Sequence, residues 1–405
     1  MAPRTLTLGS VTLPTPVILA PMAGVTTPPF RQLCREAGQA GLPKTLREQA
    51  TVPLQARAGL YVTEMVTSRA LVERHPATMA MIATTPDDPV RSVQLYGVDP
   101  ITVGEAVRIL VAEDRADHID LNFGCPVPKV TRRGGGAALP WKIELYRAII
   151  TRAVRTAERE APAGKKIPIT VKMRLGIDTA HRTDRDAALV ARDAGIAAVA
   201  LHARTAAQHY SGHAHWDEIA KLKALVGEYP IFGNGDIFSA DDALNMMRQT
   251  GCDGVVIGRG CQGRPWLFTD VVAAMYGTRV HTEPSLADVA AMVYRHGELM
   301  VAHLQDEGKA LREMRKHMAW YFRGYRLGGA QRHRLALVTS LADLHAKLSE
   351  LDLSQPYPGS AAEGPRGRAG GEKIPHLPEG WLNSRELAAD HRAQLHEAEL
   401  GISGG

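Results

Sequence analysis

Cys125 ends the run Asp120-Leu121-Asn122-Phe123-Gly124-Cys125-Pro126 and precedes a loop containing Gly134, Gly135 and Gly136. A thiol at the end of an apolar run can act as a nucleophile or as a proton donor. No base is spaced to activate it, and an unassisted thiol has a pKa of about 8.5. The proton-donor role is therefore the simpler one. Polar residues interrupt other apolar runs. Gln94 lies within Ser92–Gly97 and Lys172 within Ile169–Arg174. A buried amide must be hydrogen-bonded, to neighbouring loops or to the polar edge of a ligand. A lysine aimed into an apolar interior is costly without an anionic partner. His202, within Ala198–Arg204, repeats the pattern, although a lone strand histidine often serves structure only. His209, His213 and His215 follow in a Tyr/Ser/Gly loop without a cysteine or carboxylate at ligand spacing, which argues against zinc.

Glycine and small residues mark the remaining candidates. Ala20-Pro21-Met22-Ala23-Gly24 would let the backbone approach a flat ligand, or would simply form a tight turn. Gly233-Asn234-Gly235-Asp236 and Gly258-Arg259-Gly260 are paired glycine-rich turns after apolar runs. Such pairs bind phosphate through backbone N–H groups when they follow the last two strands of a barrel. Arg259 would add a bidentate charge.

These residues need elements to hold them. Eight β-rich runs recur: Val17–Ala23, Leu60–Val66, Ser92–Gly97, His118–Cys125, Ile169–Arg174, Ala198–Arg204, Pro230–Gly235 and Gly254–Gly260. They read as continuous apolar runs, as parallel strands covered by helices do. Helical patterns separate them at Ile101–Glu113, Lys142–Glu160, Arg185–Ala194, Ala240–Gln249 and Trp266–Met275. Gly38, Gly195 and Gly251 sit where helices would close on a left-handed residue. Eight β-then-α units over about 250 residues predict an α/β fold, a closed (β/α)8 TIM barrel. An open doubly wound sheet is the rival, but no G-x-G-x-x-G follows the first strand. Residues 1–280 would form the barrel, with an insertion at about 39–59. Residues 281–352 read as a small all-α domain, with helices over Ser285–His303, Lys309–Phe322 and Leu335–Leu351. Ser285 and Asp288 suit a capping box. Residues 353–405 are expected to be a flexible tail, with a terminal helix over Arg385–Leu400.

The chain has 405 residues, with 48 basic against 43 acidic and 45% hydrophobic. That composition excludes disordered, collagenous and membrane classes. The net charge of +5 permits a polyanionic partner without requiring one. Four cysteines, none in a C-x-x-C pair, suggest a reducing compartment. No apolar run reaches the roughly 18 residues of a membrane span, and the N-terminus lacks a signal-peptide pattern, so a cytoplasmic location is expected.

In order along the chain, several motifs resemble those of the tRNA-dihydrouridine synthase family, most closely its bacterial B-type branch. They are Ala20–Thr26 with Pro29-Phe30-Arg31, Asp120–Pro126 with Lys129-Val130, and Val171-Lys172-Met173-Arg174. His202-Ala203-Arg204-Thr205 with Gln208, Tyr210, Gly212 and Trp216 follows, then Gly233–Asp236, and Asp253–Arg259 with Pro265-Trp266. The resemblance implies an FMN-dependent reductase, with NADPH as electron donor, that saturates the C5=C6 bond of uridines in the tRNA D-loop. It implies that Pro21, Met22 and Ala23 line the flavin and that Gln94, Lys172 and His202 contact it. Asn234, Gly235, Asp236, Gly258 and Arg259 would hold the ribityl chain and phosphate. Cys125 would donate the proton to C5, and Asn122 would orient the uracil, with Arg174 and Arg204 also facing the substrate.

Residues 309–334 carry eight basic residues and one acid, Glu313, a local balance of +7. Arg312, Arg315 and Lys316 are the expected contacts to the tRNA backbone, with Trp320, Tyr321, Phe322 and Tyr325 interleaved for stacking. The plain alternative is a solvated helix face over an aromatic core. No obligate protein partner is implied, and a monomer is expected. Two other functions compete: a flavin barrel enzyme acting on a free pyrimidine, and a non-catalytic tRNA-binding protein. The basic helical segment has no use in the first, and Cys125 with the phosphate turns has none in the second.

Overall fold

The computed structural model describes residues 3–48, 56–84, 88–367 and 370–400. Eleven strands are present among the described residues: β1 Leu6–Leu8, β2 Val11–Leu13, β3 Val17–Leu19, β4 Leu60–Tyr61, β5 Met65–Thr67, β6 Ser92–Tyr96, β7 His118–Phe123, β8 Ile169–Arg174, β9 Ala198–His202, β10 Ile231–Asn234 and β11 Gly254–Ile257. β1 and β2 pair as an antiparallel hairpin. The other nine form one parallel sheet in the order β4-β3-β11-β10-β9-β8-β7-β6-β5. β4 and β5 are consecutive pieces of one strand, broken at 62–64. One piece pairs with β3 and the other with β6, so the sheet closes on itself. At the break, Thr63 N–H donates to Ser92 O and Gln94 N–H donates to the Thr63 hydroxyl. The expected eight-stranded barrel is present, with a hydrogen-bonded nick in its second strand.

The strands of the polar half are not uniformly apolar. Along β6 to β8, Val93, Leu95, Ile119, Leu121, Val171 and Met173 join the outer core beneath the helices. Their alternate neighbours Gln94, Asp120, Asn122, Thr170 and Lys172 make side-chain contacts with one another or line the central cavity. This is the period of two of a pleated strand, with the barrel interior on the polar side. The reading of continuous apolar runs missed it, because the inward set mixes Thr, Ala and amides with true hydrophobes. In the other half the inward set is apolar: Ile18, Leu60, Ala198, Ala200, Phe232 and Val256 pack with Leu6, Leu8, Val11 and Leu13 of the hairpin. The hairpin thus plugs one end, and the polar rows face the other.

The expected barrel helices appear at Pro100–Ala112, Ile143–Glu160, Asp184–Asp193, Ala240–Thr250 and Leu267–Met275. Gly195 and Gly251 follow their helices with positive φ, as expected. Gly38 does not: it lies inside the helix Pro28–Gly41, where a side chain would collide with the Tyr61 hydroxyl. The expected insertion is shorter than 39–59 in this respect, since 39–41 finish that helix and Lys44–Arg47 form another turn. Positions 49–55 lie outside the described residues.

Leu286–Leu304 and Glu307–Tyr321 form the first two helices of the second core, and Ser285 and Asp288 make the expected capping box. The single helix expected over Leu335–Leu351 is two, Gly329–Leu335 and Leu341–Ser349. Ser340 accepts from Asp343 N–H and so starts a new helix, while Val338 turns inward to fill the core. Two of the described residues beyond 353 meet the barrel: Lys373 N–H donates to Ala207 O at 2.8 Å, and Trp381 is buried against the loop after β7. The terminal helix runs from Ala389 to Leu400. No helix among the described residues is long and apolar enough to cross a membrane.

Candidate active site

Strand register builds the site. β7 and β8 set Asn122 beside Lys172, β8 and β9 set Arg174 beside His202, and β9 and β10 set His202 beside Asn234. These rows open into a cavity of about 420 Å³, within the range of small-ligand sites. Pro21, Met22, Ala23, Gln94, Asn122, Cys125, Lys172, Arg174, His202, Arg204, Asn234, Gly235, Asp236, Gly258 and Arg259 all line it. Those fifteen residues, scattered over 239 positions of sequence, are gathered at one place. Arg312, Arg315 and Lys316 are not among the lining residues. They lie on the helix Glu307–Tyr321, with Arg312 exposed.

Beneath the cavity runs a relay of hydrogen bonds. Gln94 Nε2 donates to Asp120 Oδ2 at 2.7 Å, and Asn122 Nδ2 donates to Gln94 Oε1 at 2.9 Å. Asn122 Oδ1 accepts from Gly124 N and from Cys125 N at 2.9 Å for the second. Asn122 is thus engaged in fixing the main chain at Cys125. Thr170 Oγ1 donates to Asp120 at 2.6 Å, and His118 reaches the same hydroxyl at 2.9 Å. Burial raises the Asp120 carboxyl above its ordinary range and pushes the His118 imidazole down to about 3. A fully hydrogen-bonded buried network of this kind fixes one arrangement of its members.

The cavity is electropositive. Among the described residues its lining carries Lys172, Arg174, Arg204, Arg259 and Arg366 against a single carboxylate, Asp236. Lys172 Nζ donates to Asn234 Oδ1 at 2.9 Å, and Asn234 is held in turn by Val256 O at 2.7 Å. Burial, with Arg174 nearby, pulls the Lys172 ammonium down to about 8. The same burial and cations hold His202 well below its usual range, so its imidazole is neutral. Burial pushes the Cys125 thiol up, against weaker opposing effects of Arg174 and Lys172. The thiol is protonated at neutral pH, as a donor requires.

Two arginines do something other than face the substrate freely. Arg174 donates to Gly124 O, Thr205 O and His209 O, so it ties the Cys125 turn to the loop after β9. Arg204 donates to Ser211 O, Gly212 O and Asp236 Oδ2. Asp236, in the left-handed region at φ 57°, also accepts from Ala214 N–H. Its carboxylate is engaged in holding loops. Arg259 lies 4.1 Å above the Tyr210 ring, and its Nη1 is buried without a hydrogen-bond partner among the described residues.

Sequence reasoning missed Arg366, Gly367 and Gln262, which also line the cavity, as does Trp320, expected only as a stacking residue for tRNA. Arg366 is 2% exposed, and burial beside Arg264 pulls its guanidinium to about 9. A Gly/Pro-rich context gave no local signal for it. The aromatic reading needs correction too: Tyr321, Phe322 and Tyr325 are buried in the second core rather than presented for stacking.

A family model described as dihydrouridine synthase (Dus) matches residues 18–355. A probable tRNA-dihydrouridine synthase of Mycobacterium tuberculosis (strain H37Rv) is 53% identical over 377 residues, covering 93% of this chain and 92% of that one. The corresponding protein of Mycobacterium leprae is 53% identical and covers 90% and 95%. The tRNA-dihydrouridine synthase B of Xanthomonas axonopodis pv. citri is 38% identical over 316 residues, covering 78% and 86%. A match over most of the chain, with the motif residues gathered around one cavity, has one consequence: the chain belongs to the dihydrouridine synthase family.

Proposed function

We propose that this protein reduces the C5=C6 bond of uridines in the tRNA D-loop, using FMN reduced by NADPH, in the cytoplasm. The observation that carries the reading is a protonated thiol, Cys125, at the mouth of a cavity with five cations and one carboxylate.

The residues suit a phosphorylated flavin. Among the described residues Arg259 Nη1 is buried without a hydrogen-bond partner and Lys172 makes no ion pair, its ammonium meeting the Asn234 amide oxygen; at Gly258 a Cβ would meet Ala20 and Met22 at 3.6 and 3.9 Å. Arg259 with the backbone at Gly235, Asp236 and Gly258 would hold the phosphate, as such turns do. Pro21, Met22 and Ala23 would flank the ring system, while Gln94 and Lys172 would meet its polar edge. An anionic charge beside Lys172 returns the ammonium toward its ordinary pKa. Neutral His202 can meet the ring edge without adding repulsion.

When bound, FMN supplies the hydride that adds to C6 of the uracil. Cys125 Sγ–H gives its proton to C5. Asn122 and Arg174 hold the main chain of the Cys125 turn, so the thiol is placed before substrate arrives. A positioned acid of this kind contributes roughly 10²–10⁴-fold. Bringing the base to the cavity requires unstacking it, at a cost of a few kcal/mol. The exposed cations of the second domain offset that cost by drawing in the phosphate backbone. Mass spectrometry of tRNA from cells with and without the gene tests the assignment: specific dihydrouridines must disappear. An unchanged dihydrouridine content would refute it.

A further inference from the structure

The family match ends at residue 355, yet the chain runs on to 405. The later residues return to the loop that carries Cys125. Trp381 is 1% exposed, and its indole Nε1 donates to Ala138 O at 3.0 Å. One residue away, Ala137 N–H donates to Cys125 O at 3.0 Å. The ring lies over Gly134, where a Cβ would come within 2.7 Å of it. Lys142, just past this loop, donates to Ser384 O and Glu386 O at 2.7 and 2.9 Å, with its ammonium 4.9 Å from the Trp381 ring centre. The loop needs such a hold: Gly134 and Gly136 both have positive φ, and glycines lose more backbone freedom than any other residue when ordered.

We propose that Trp381 is a positioning residue, which clamps the loop 134–138 and so places Cys125 at the cavity. The segment beyond the family domain is then part of the reducing machinery, not an appendage. This rests on the reading of Cys125 as the proton donor. The clamp acts on one half of the reaction only, because reduction of the flavin does not use the thiol.

The test uses full-length, FMN-loaded protein carrying Trp381→Ala, Trp381→Phe or Lys142→Met. The flavin is reduced with dithionite and mixed with tRNA from cells lacking the gene. Trp381→Ala should slow flavin reoxidation by tRNA roughly ten- to a hundredfold, the scale of a misplaced reacting group, with KM for tRNA unchanged. Trp381→Phe, which keeps the packing, should recover most of the rate. Separately, iodoacetamide labelling of Cys125, followed by peptide mass, should quicken severalfold in Trp381→Ala. Parent-like reoxidation and labelling in folded Trp381→Ala would overturn the clamp. If that variant does not fold, Lys142→Met, which leaves the indole in place, is judged by the same two readouts. Cys125→Ala separates the two ideas. If it reoxidises normally, the proton-donor reading fails; if it is inactive while Trp381 variants match the parent, only the clamp fails.

Discussion

Lys172 and Arg312 carry the same charge in opposite settings. Lys172 is enclosed by the barrel and its ammonium meets one amide oxygen. Arg312 stands on an exposed helix face with no ion-pair partner among the described residues. In the barrel a buried cation is costly, so it acts on a specific anion at close range. On the helix a solvated cation costs little and acts as a field, screened within about 8–10 Å by salt. The second region is also less uniformly free than its +7 suggests. Arg334 pairs with Glu350 and Lys316 with Glu313. Arg332 donates to Phe322 O, Leu327 O and Tyr325 O, and so closes the turn between the helices Glu307–Tyr321 and Gly329–Leu335. Burial makes a charge selective; exposure makes it additive.

The largest effect should come from the one group that is neither. Cys125→Ala should keep flavin and tRNA binding but lose roughly 10²–10⁴-fold in dihydrouridine formation. Single-turnover assays with bound tRNA check this. Unchanged turnover would remove the thiol from the chemistry and leave the barrel cations as the only catalytic feature.

Next comes Lys172. Lys172→Met should weaken FMN binding about tenfold, the scale of one hydrogen bond to a charged group. Flavin content and equilibrium titration report it. The pH dependence has a definite sign. The charged form binds the anion, and burial has brought the free protein's Lys172 to about 8. FMN affinity should therefore be flat below that value and fall as pH rises through it. Lys172→Met should flatten the profile. A parent protein whose affinity is level from pH 7 to 9 would show that Lys172 does not meet an anion.

The exposed region should respond more weakly and with a different signature. Reversing Arg312, Arg315 and Lys316 to Glu should raise Kd for tRNA roughly tenfold at low salt, and the loss should shrink as salt rises. Arg315 also donates to Val338 O at 3.0 Å, so Arg312→Glu alone is the cleanest member of the set. A salt-independent loss would mean the patch makes buried, specific contacts, and the contrast with the barrel would fail.

The same contrast explains what could be read without a structure. The eight strands and the glycine-rich turns that follow them were legible because each is a local pattern, an apolar run followed by glycine. Gln94 and Lys172 stood out because a polar residue in such a run is anomalous on its own. What was illegible depends on partners far along the chain. Nothing near Asp236 in sequence shows that Arg204 and Ala214 occupy its carboxylate. Trp381 meets Ala138 across 243 residues, and Arg366 reaches the cavity from a stretch whose composition reads as linker. The aromatics beside the basic cluster failed for a related reason. Composition cannot tell a ring on the surface from a ring beneath it, and Tyr321 and Phe322 lie beneath.

The smallest expected effect tests whether the exposed patch depends on the arrangement of its helices or only on its charge. Ser340 accepts from Asp343 N–H at 3.0 Å and starts the helix Leu341–Ser349. Removing such a cap costs about 0.5–2 kcal/mol. Ser340→Ala should lower Tm by a few degrees in a thermal scan. It removes no charge, and it acts just beyond Val338, the residue whose carbonyl holds Arg315. At temperatures where the domain is folded, a field of solvated charges should not feel the change: Kd for tRNA and its salt slope should match the parent. If the salt slope falls as far as it does with Arg312→Glu, the cations must be held in register to work. The helical face would then resemble the barrel more than its exposure suggests.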